Sequence, residues 1–93
     1  MAIFLKDPGA AVDYAVDWSA GYLAGQAIAA SAWSVSPGGA GAVTIGADRI
    51  EAGRTVVRLS GGQVGTLYQI TNQVTFSDGS ADQRLLVLRV EDR

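Results

Sequence analysis

The side chains in this chain that could do chemistry are carboxylates, serines and one lysine, Lys6, because its 93 residues include no histidine and no cysteine. Catalytic triads of the usual kinds and ordinary zinc sites are therefore ruled out. Asp13 and Asp17 could serve as the paired carboxylates of a glycoside hydrolase, which must stand roughly 5–9.5 Å apart. Spaced four residues along a strand they lie about 13 Å apart on one face, so they read as a solvated face that also discourages edge pairing. Asp78, Ser80 and Asp82 alternate as calcium ligands would, but a calcium loop needs more oxygens and a bidentate glutamate. They read as a polar hairpin tip. Gly61-Gly62 with Gly65 has the glycines of a phosphate cradle, yet no lysine and no helix follow to complete one. Trp18 and Trp33 could stack on a sugar, as could Tyr22; strand-interior parity favours a core role for both tryptophans. No catalytic, cofactor or metal residue is assigned, and no enzyme is expected.

The elements that would hold these residues are strands. In AAVDYAVDW, Val12, Tyr14, Val16 and Trp18 share one parity while Asp13, Ala15 and Asp17 take the other, the period of a half-buried strand. Residues 11–18 are thus expected to be a strand, after a turn at Asp7-Pro8-Gly9 in which Gly9 tolerates a left-handed conformation. Residues 19–26 read as a turn or short helical loop, and 28–35 as a strand closed by Pro37-Gly38-Gly39. A short strand over 42–45, a turn over 46–49 and an edge piece at Ile50-Glu51 follow. Thr55, Val57 and Leu59 form the inner face of the next strand. Tyr68, Ile70, Asn72, Val74 and Phe76 share a parity, as do Leu86, Leu88 and Val90. SDGSADQ between them signals a hairpin.

Parity constrains that hairpin. A two-residue loop at Asp78-Gly79 would turn Leu86 and Leu88 outward, and a one-residue slip reverses every face. A three- or five-residue loop centred on a left-handed Gly79 pairs Ile70 with Leu88 and Tyr68 with Val90, burying more apolar surface. Tyr68, following the Gly65-Thr66-Leu67 corner, is placed to tie that corner to nearby backbone through its hydroxyl. About seven strands with glycine-rich turns predict a single domain, residues 1–93, folded as an immunoglobulin-like antiparallel β-sandwich.

Composition narrows the partners. The chain is 48% hydrophobic and 17% charged, with net charge −2, which opposes disorder. Seven basic residues scattered from Lys6 to Arg93 leave no concentrated basic face, so nucleic acid is not an expected partner. No apolar run approaches the ~20 residues of a membrane span, and Lys6 follows the N-terminal apolar patch instead of preceding it, against a secretory leader. The absence of cysteine is neutral about compartment but fits a protein made and assembled in the cytoplasm.

In order, Asp7-Pro8, the Tyr14-to-Trp18 strand, Ile28, Trp33, GGQVGTLY at residues 61–68, NQVTF at 72–76, SDGS at 77–80 and the closing Arg89-Val90 resemble the small phage fiber-tail adaptor family, from Lys6 to Arg93. The alanine-rich 24–32 stretch departs from its pattern. The resemblance implies a non-enzymatic virion structural protein that bridges tail and fiber components, bound to other virion proteins and to copies of itself in a symmetric assembly. Two other readings are open: a capsid cement or decoration protein of the head, and a carbohydrate-binding module for host surface glycans that would expose Trp18 or Tyr22. Residues 1–6, with no evident core role, and the 24–32 stretch are the expected contact regions.

Overall fold

Alternation builds seven strands in a computed structural model that describes residues 3–18, 27–51 and 53–91. They are β1 (Ile3–Lys6), β2 (Ala11–Asp17), β3 (Ile28–Ser36), β4 (Val43–Glu51), β5 (Arg54–Gly61), β6 (Leu67–Phe76) and β7 (Ala81–Val90). A four-stranded sheet runs β1-β7-β6-β3 and a three-stranded sheet runs β2-β5-β4. β1 lies parallel to β7 and every other pairing is antiparallel. The inner faces meet in two clusters. Val43, Val57 and Leu59 pack on Tyr68, Ile70, Leu88 and Val90; Val16 and Trp18 pack on Val74 and Phe76. Trp33 and Leu86 touch both.

The β6–β7 hairpin has the expected odd loop and left-handed glycine. Phe76 N–H donates to Ser80 O (2.7 Å), Gly79 N–H donates to Phe76 O (2.9 Å), and Gly79 has φ 90°. The pairing itself differs from expectation by two residues: Tyr68 faces Leu88 and Ile70 faces Leu86. A tight turn followed by one left-handed residue puts the glycine last in the loop, so the hairpin pivots on Asp78 and not on Gly79. Parity, and with it the buried face, is unchanged.

Three other expectations need correction. The turn over 46–49 is a bulge: β4 steps from Ile45 to Asp48 while β5 steps from Leu59 to Val57, so one extra residue is absorbed and the strand continues. At Asp7-Pro8-Gly9 the turn closes through Ala10 N–H to Asp7 O (3.1 Å) and Gly9 N–H to Asp7 Oδ2 (2.8 Å), without a left-handed Gly9. Against the expectation that residues 1–6 have no core role, 3–6 are built into a sheet. They form β1, and Lys6 is 2% exposed. The loop expected over 19–26, with Tyr22, lies outside the described residues.

Gly62 joins β5 to the corner at φ 100°, where a Cβ would sit 2.7 Å from Val90 Cγ2 and 2.9 Å from Val43 Cγ2. Both the backbone angle and the neighbouring core exclude a side chain. Gly62→Ala is expected to cost about 2 kcal/mol, read as a lower urea midpoint at unchanged m-value.

Candidate functional site

Among the described residues, the carboxylates singled out for chemistry have structural partners or stand apart from one another. Asp13 Oδ1 accepts a hydrogen bond from Arg58 Nε at 2.9 Å, and Arg49 Nη1 stands 3.8 Å from Oδ2. The Arg58 hydrogen bond holds the Asp13 carboxyl below its ordinary range. Asp17 is opposite Arg54 on the same outer face, and the two aspartates do not converge. Asp78 Oδ1 accepts from both the N–H (2.9 Å) and the hydroxyl (2.5 Å) of Ser80, while Asp82 Oδ1 accepts from Gln83 N–H (2.7 Å). Those carboxylates close the hairpin on itself. Among the described residues no three acidic side chains gather and no pocket opens.

Trp18 cannot present a stacking face, being 0% exposed. Its Nε1–H donates to Asn72 Oδ1 (3.0 Å) and Thr55 Oγ1 (3.2 Å), and Thr55 Oγ1–H donates to Asn72 Oδ1 (2.6 Å). Asn72 Nδ2 in turn donates to Ser31 Oγ (2.9 Å) and Ala32 O (3.2 Å). The Phe76 ring, T-shaped to the indole with centroids 6.0 Å apart, and the Arg84 guanidinium, 5.1 Å from the indole's centroid, also lie against it. Trp33 is half-buried between the two clusters. Tyr68 takes the corner role expected of it, its hydroxyl accepting from Gln63 N–H at 2.9 Å.

With the interior committed to packing, function falls to the outside, and the two outer faces differ. On β2-β5-β4 the outward residues pair acid against base: Asp13 with Arg58, Arg54 with Glu51, and Arg49 with both Asp13 and Glu51. On β1-β7-β6-β3 the rows of outward parity are Leu5–Arg89–Leu67 and Val87–Gln69–Ser36, with Val87 buried, then Leu85–Thr71–Ser34 and Gln83–Gln73–Ala32. Directly opposed residues share a face, so this surface carries one charge, Arg89, whose Nε donates to Glu91 Oε1 at 2.6 Å. Leu5 (47% exposed) and Leu67 (52%) flank it. Val64 (58% exposed) tops the adjacent turn, which is held to β7 by Gly65 N–H to Val90 O at 2.7 Å. Charge depletion around exposed large apolar groups is what a protein contact surface requires.

Of the regions the sequence suggested for contact, 1–6 contributes Leu5 but buries Lys6, and the described part of 24–32 places exposed Ala29, Ala30 and Ala32 on β3. Leu67 and Val64 were missed. The signal for Leu67 was its parity, opposite to that of Tyr68, which turns a leucine outward.

Among curated proteins none matches the chain. Residues 6–89, nearly its whole length, match the family model described as podophage GP4 fiber-tail adaptor protein gp77. The match spans every strand except the first residues of β1 and the last of β7, and it includes the Gly61-to-Tyr68 corner, Asn72 and Trp18. On that match, this chain belongs to the podophage fiber-tail adaptor gp77 family.

Proposed function

We propose that the chain is a non-enzymatic immunoglobulin-like sandwich of a podophage-type virion, bridging tail and fiber components through the outer face of its four-stranded sheet. The strand order supports the immunoglobulin-like reading: β2-β5-β4 and β3-β6-β7 match the B-E-D and C-F-G groupings of such domains, with the first strand laid beside the last and a tyrosine at the corner. Membership in a fiber-tail adaptor family supports the bridging role and a place in the virion. The observation that carries the surface assignment is the Leu5–Arg89–Leu67 row with Val64, where exposed apolar groups flank a single ion pair while the opposite face carries a network of them. Apolar groups ringing one arginine are the composition of an interface centre. Several symmetric copies would multiply individually weak contacts, since each bound copy raises the effective concentration of the next.

Leu67→Asp tests this. The side chain projects to solvent, so the fold tolerates the change, with a thermal midpoint within a few degrees of wild type. Tail particles assembled without this protein are mixed with purified wild type or variant and imaged by electron microscopy. Wild type should restore density at the tail–fiber junction. Leu67→Asp should load at least about tenfold less well, the effect of one interface residue of moderate weight. Normal loading of the Leu5→Asp, Val64→Asp and Leu67→Asp variants would refute the surface assignment.

A further inference from the structure

From Trp18 through Ala47 the sequence holds no charged residue, although the chain has 16 of them, seven basic and nine acidic. The described part of that run includes all nine residues of β3, which ends the four-stranded sheet. An edge strand offers a row of unpaired backbone N–H and C=O groups to any other strand, and proteins ordinarily protect such edges with charges, bulges or brevity. The other three edges here are protected. β1 has four residues; β2 carries Asp13 and Asp17; β4 carries Asp48, Arg49 and Glu51 and the bulge at its middle. On β3 the only irregularity lies at its start, between Ile28 and Ala30, and the pairing from Ala30 to Ser36 is regular.

We propose that this edge pairs antiparallel with β3 of a second copy about a two-fold axis, joining two four-stranded sheets into one continuous sheet. Charge match argues for the occupant. The edge accepts an uncharged extended strand, and among the described edges of the chain only β3 qualifies. Two identical antiparallel strands are related by a two-fold, so one patch supplies both halves of the contact. With the axis at Trp33, Ala32 faces Ser34 and Ala30 faces Ser36 on the outer face; every opposed side chain there is small and uncharged. A strand of this length spans ~30 Å, and edge pairing covers only a few hundred Å² per copy, below the roughly 800 Å² of a standard stable interface. The pairing is therefore weak in dilute solution and gains strength where copies are held together. Its role on a particle rests on the symmetric-copy reading above, but its existence does not.

The test is sedimentation equilibrium of the purified full chain up to about 1 mM, where a transient interface of this size is expected to show reversible dimer. Ser34 is exposed and faces outward, so Ser34→Lys and Ser34→Glu keep the fold, checked by circular dichroism. Each variant alone brings two like charges together beside the axis and should dimerise at least about tenfold more weakly than wild type. Mixed one to one, they should recover the dimer as a Lys–Glu pair. Wild type that stays monomeric at about 1 mM, or charge variants that dimerise as wild type does, would overturn the proposal. Leu67→Asp should leave self-association unchanged, so this pairing and the adaptor surface can fail separately.

Discussion

Replacing Asn72 by alanine is expected to destabilise the domain by about 4 kcal/mol, enough to lower the thermal midpoint by roughly 20 °C in a chain of this size. The side chain is fully buried on β6 and uses both ends of its amide. The oxygen takes hydrogen bonds from Trp18 and Thr55, on the opposite sheet, and the nitrogen gives them to Ser31 and Ala32, on its own sheet. Alanine would leave the Ala32 carbonyl and the Ser31 hydroxyl without this donor and the indole without its amide acceptor, and would open a cavity besides. Each buried orphan costs about 1–3 kcal/mol. Asn72→Asp separates this network from mere bulk. A carboxylate there is nearly isosteric and can still accept from Trp18 and Thr55, but it has no proton for Ala32 O and buries a charge, so its folded pKa lies above the unfolded ~3.9. Between those two values the folded state binds more protons, so stability rises as pH falls through the folded pKa. Calorimetry at neutral pH and near pH 4 should therefore show partial recovery for Asn72→Asp and none for Asn72→Ala. An Asn72→Asp variant as stable as wild type at both pH values, with Asn72→Ala alone destabilised, would show that volume alone matters at this site.

That network was half visible in the amino-acid order. Asn72 stands at core parity between Ile70 and Val74, where a polar residue must find partners. Its parity was readable, whereas its partners were not, because Trp18 and Thr55 reach it only once β2-β5-β4 lies across β6. The same division recurs elsewhere. Alternation in 67–76 and 81–90 decides which leucines are buried, and an odd loop keeps that choice even when the pairing shifts by two residues. Gly46 read as a turn because a glycine inside a strand looks the same locally whether the chain reverses or bulges. Leu5 and Leu67 are 62 positions apart in numbering and meet across Arg89 only because β1 joins β7 in parallel. Local periodicity carries the strands and their faces; the order of strands in the sheets carries the candidate surface, and no short-range pattern encodes it. The 18–47 run without charge is the exception, a feature open to counting that coincides with the edge strand β3.

Lys6 is the residue on which local reading failed most completely, and its replacement by alanine is expected to cost about 4 kcal/mol. In the sequence, residues 1–6 read as an arm with no evident core role. Instead the ammonium donates to Asp7 O and Gly61 O, both at 2.8 Å, and the second acceptor is 55 residues away at the end of β5. Lys6 thus ties β1 of one sheet to β5 of the other, close to the Gly62 corner. Alanine removes both hydrogen bonds and most of a buried four-carbon stem, at about 0.8 kcal/mol per methylene before the cavity is counted. Lys6→Met keeps much of the stem and loses the donor, so it should cost about half as much. The pH dependence then isolates the head group. Burial lowers the Lys6 pKa, against a smaller opposing pull from Asp7. Between the lowered folded value and the unfolded value near 10.5, the unfolded chain binds the extra proton, so stability rises with pH across that window. The stability difference between wild type and Lys6→Met, followed by urea titration from neutral to alkaline pH, should accordingly widen as the pH approaches that unfolded value. A difference that stays flat would mean that the ammonium sits in water, and one that narrows would mean that its carbonyl acceptors and Asp7 outweigh burial.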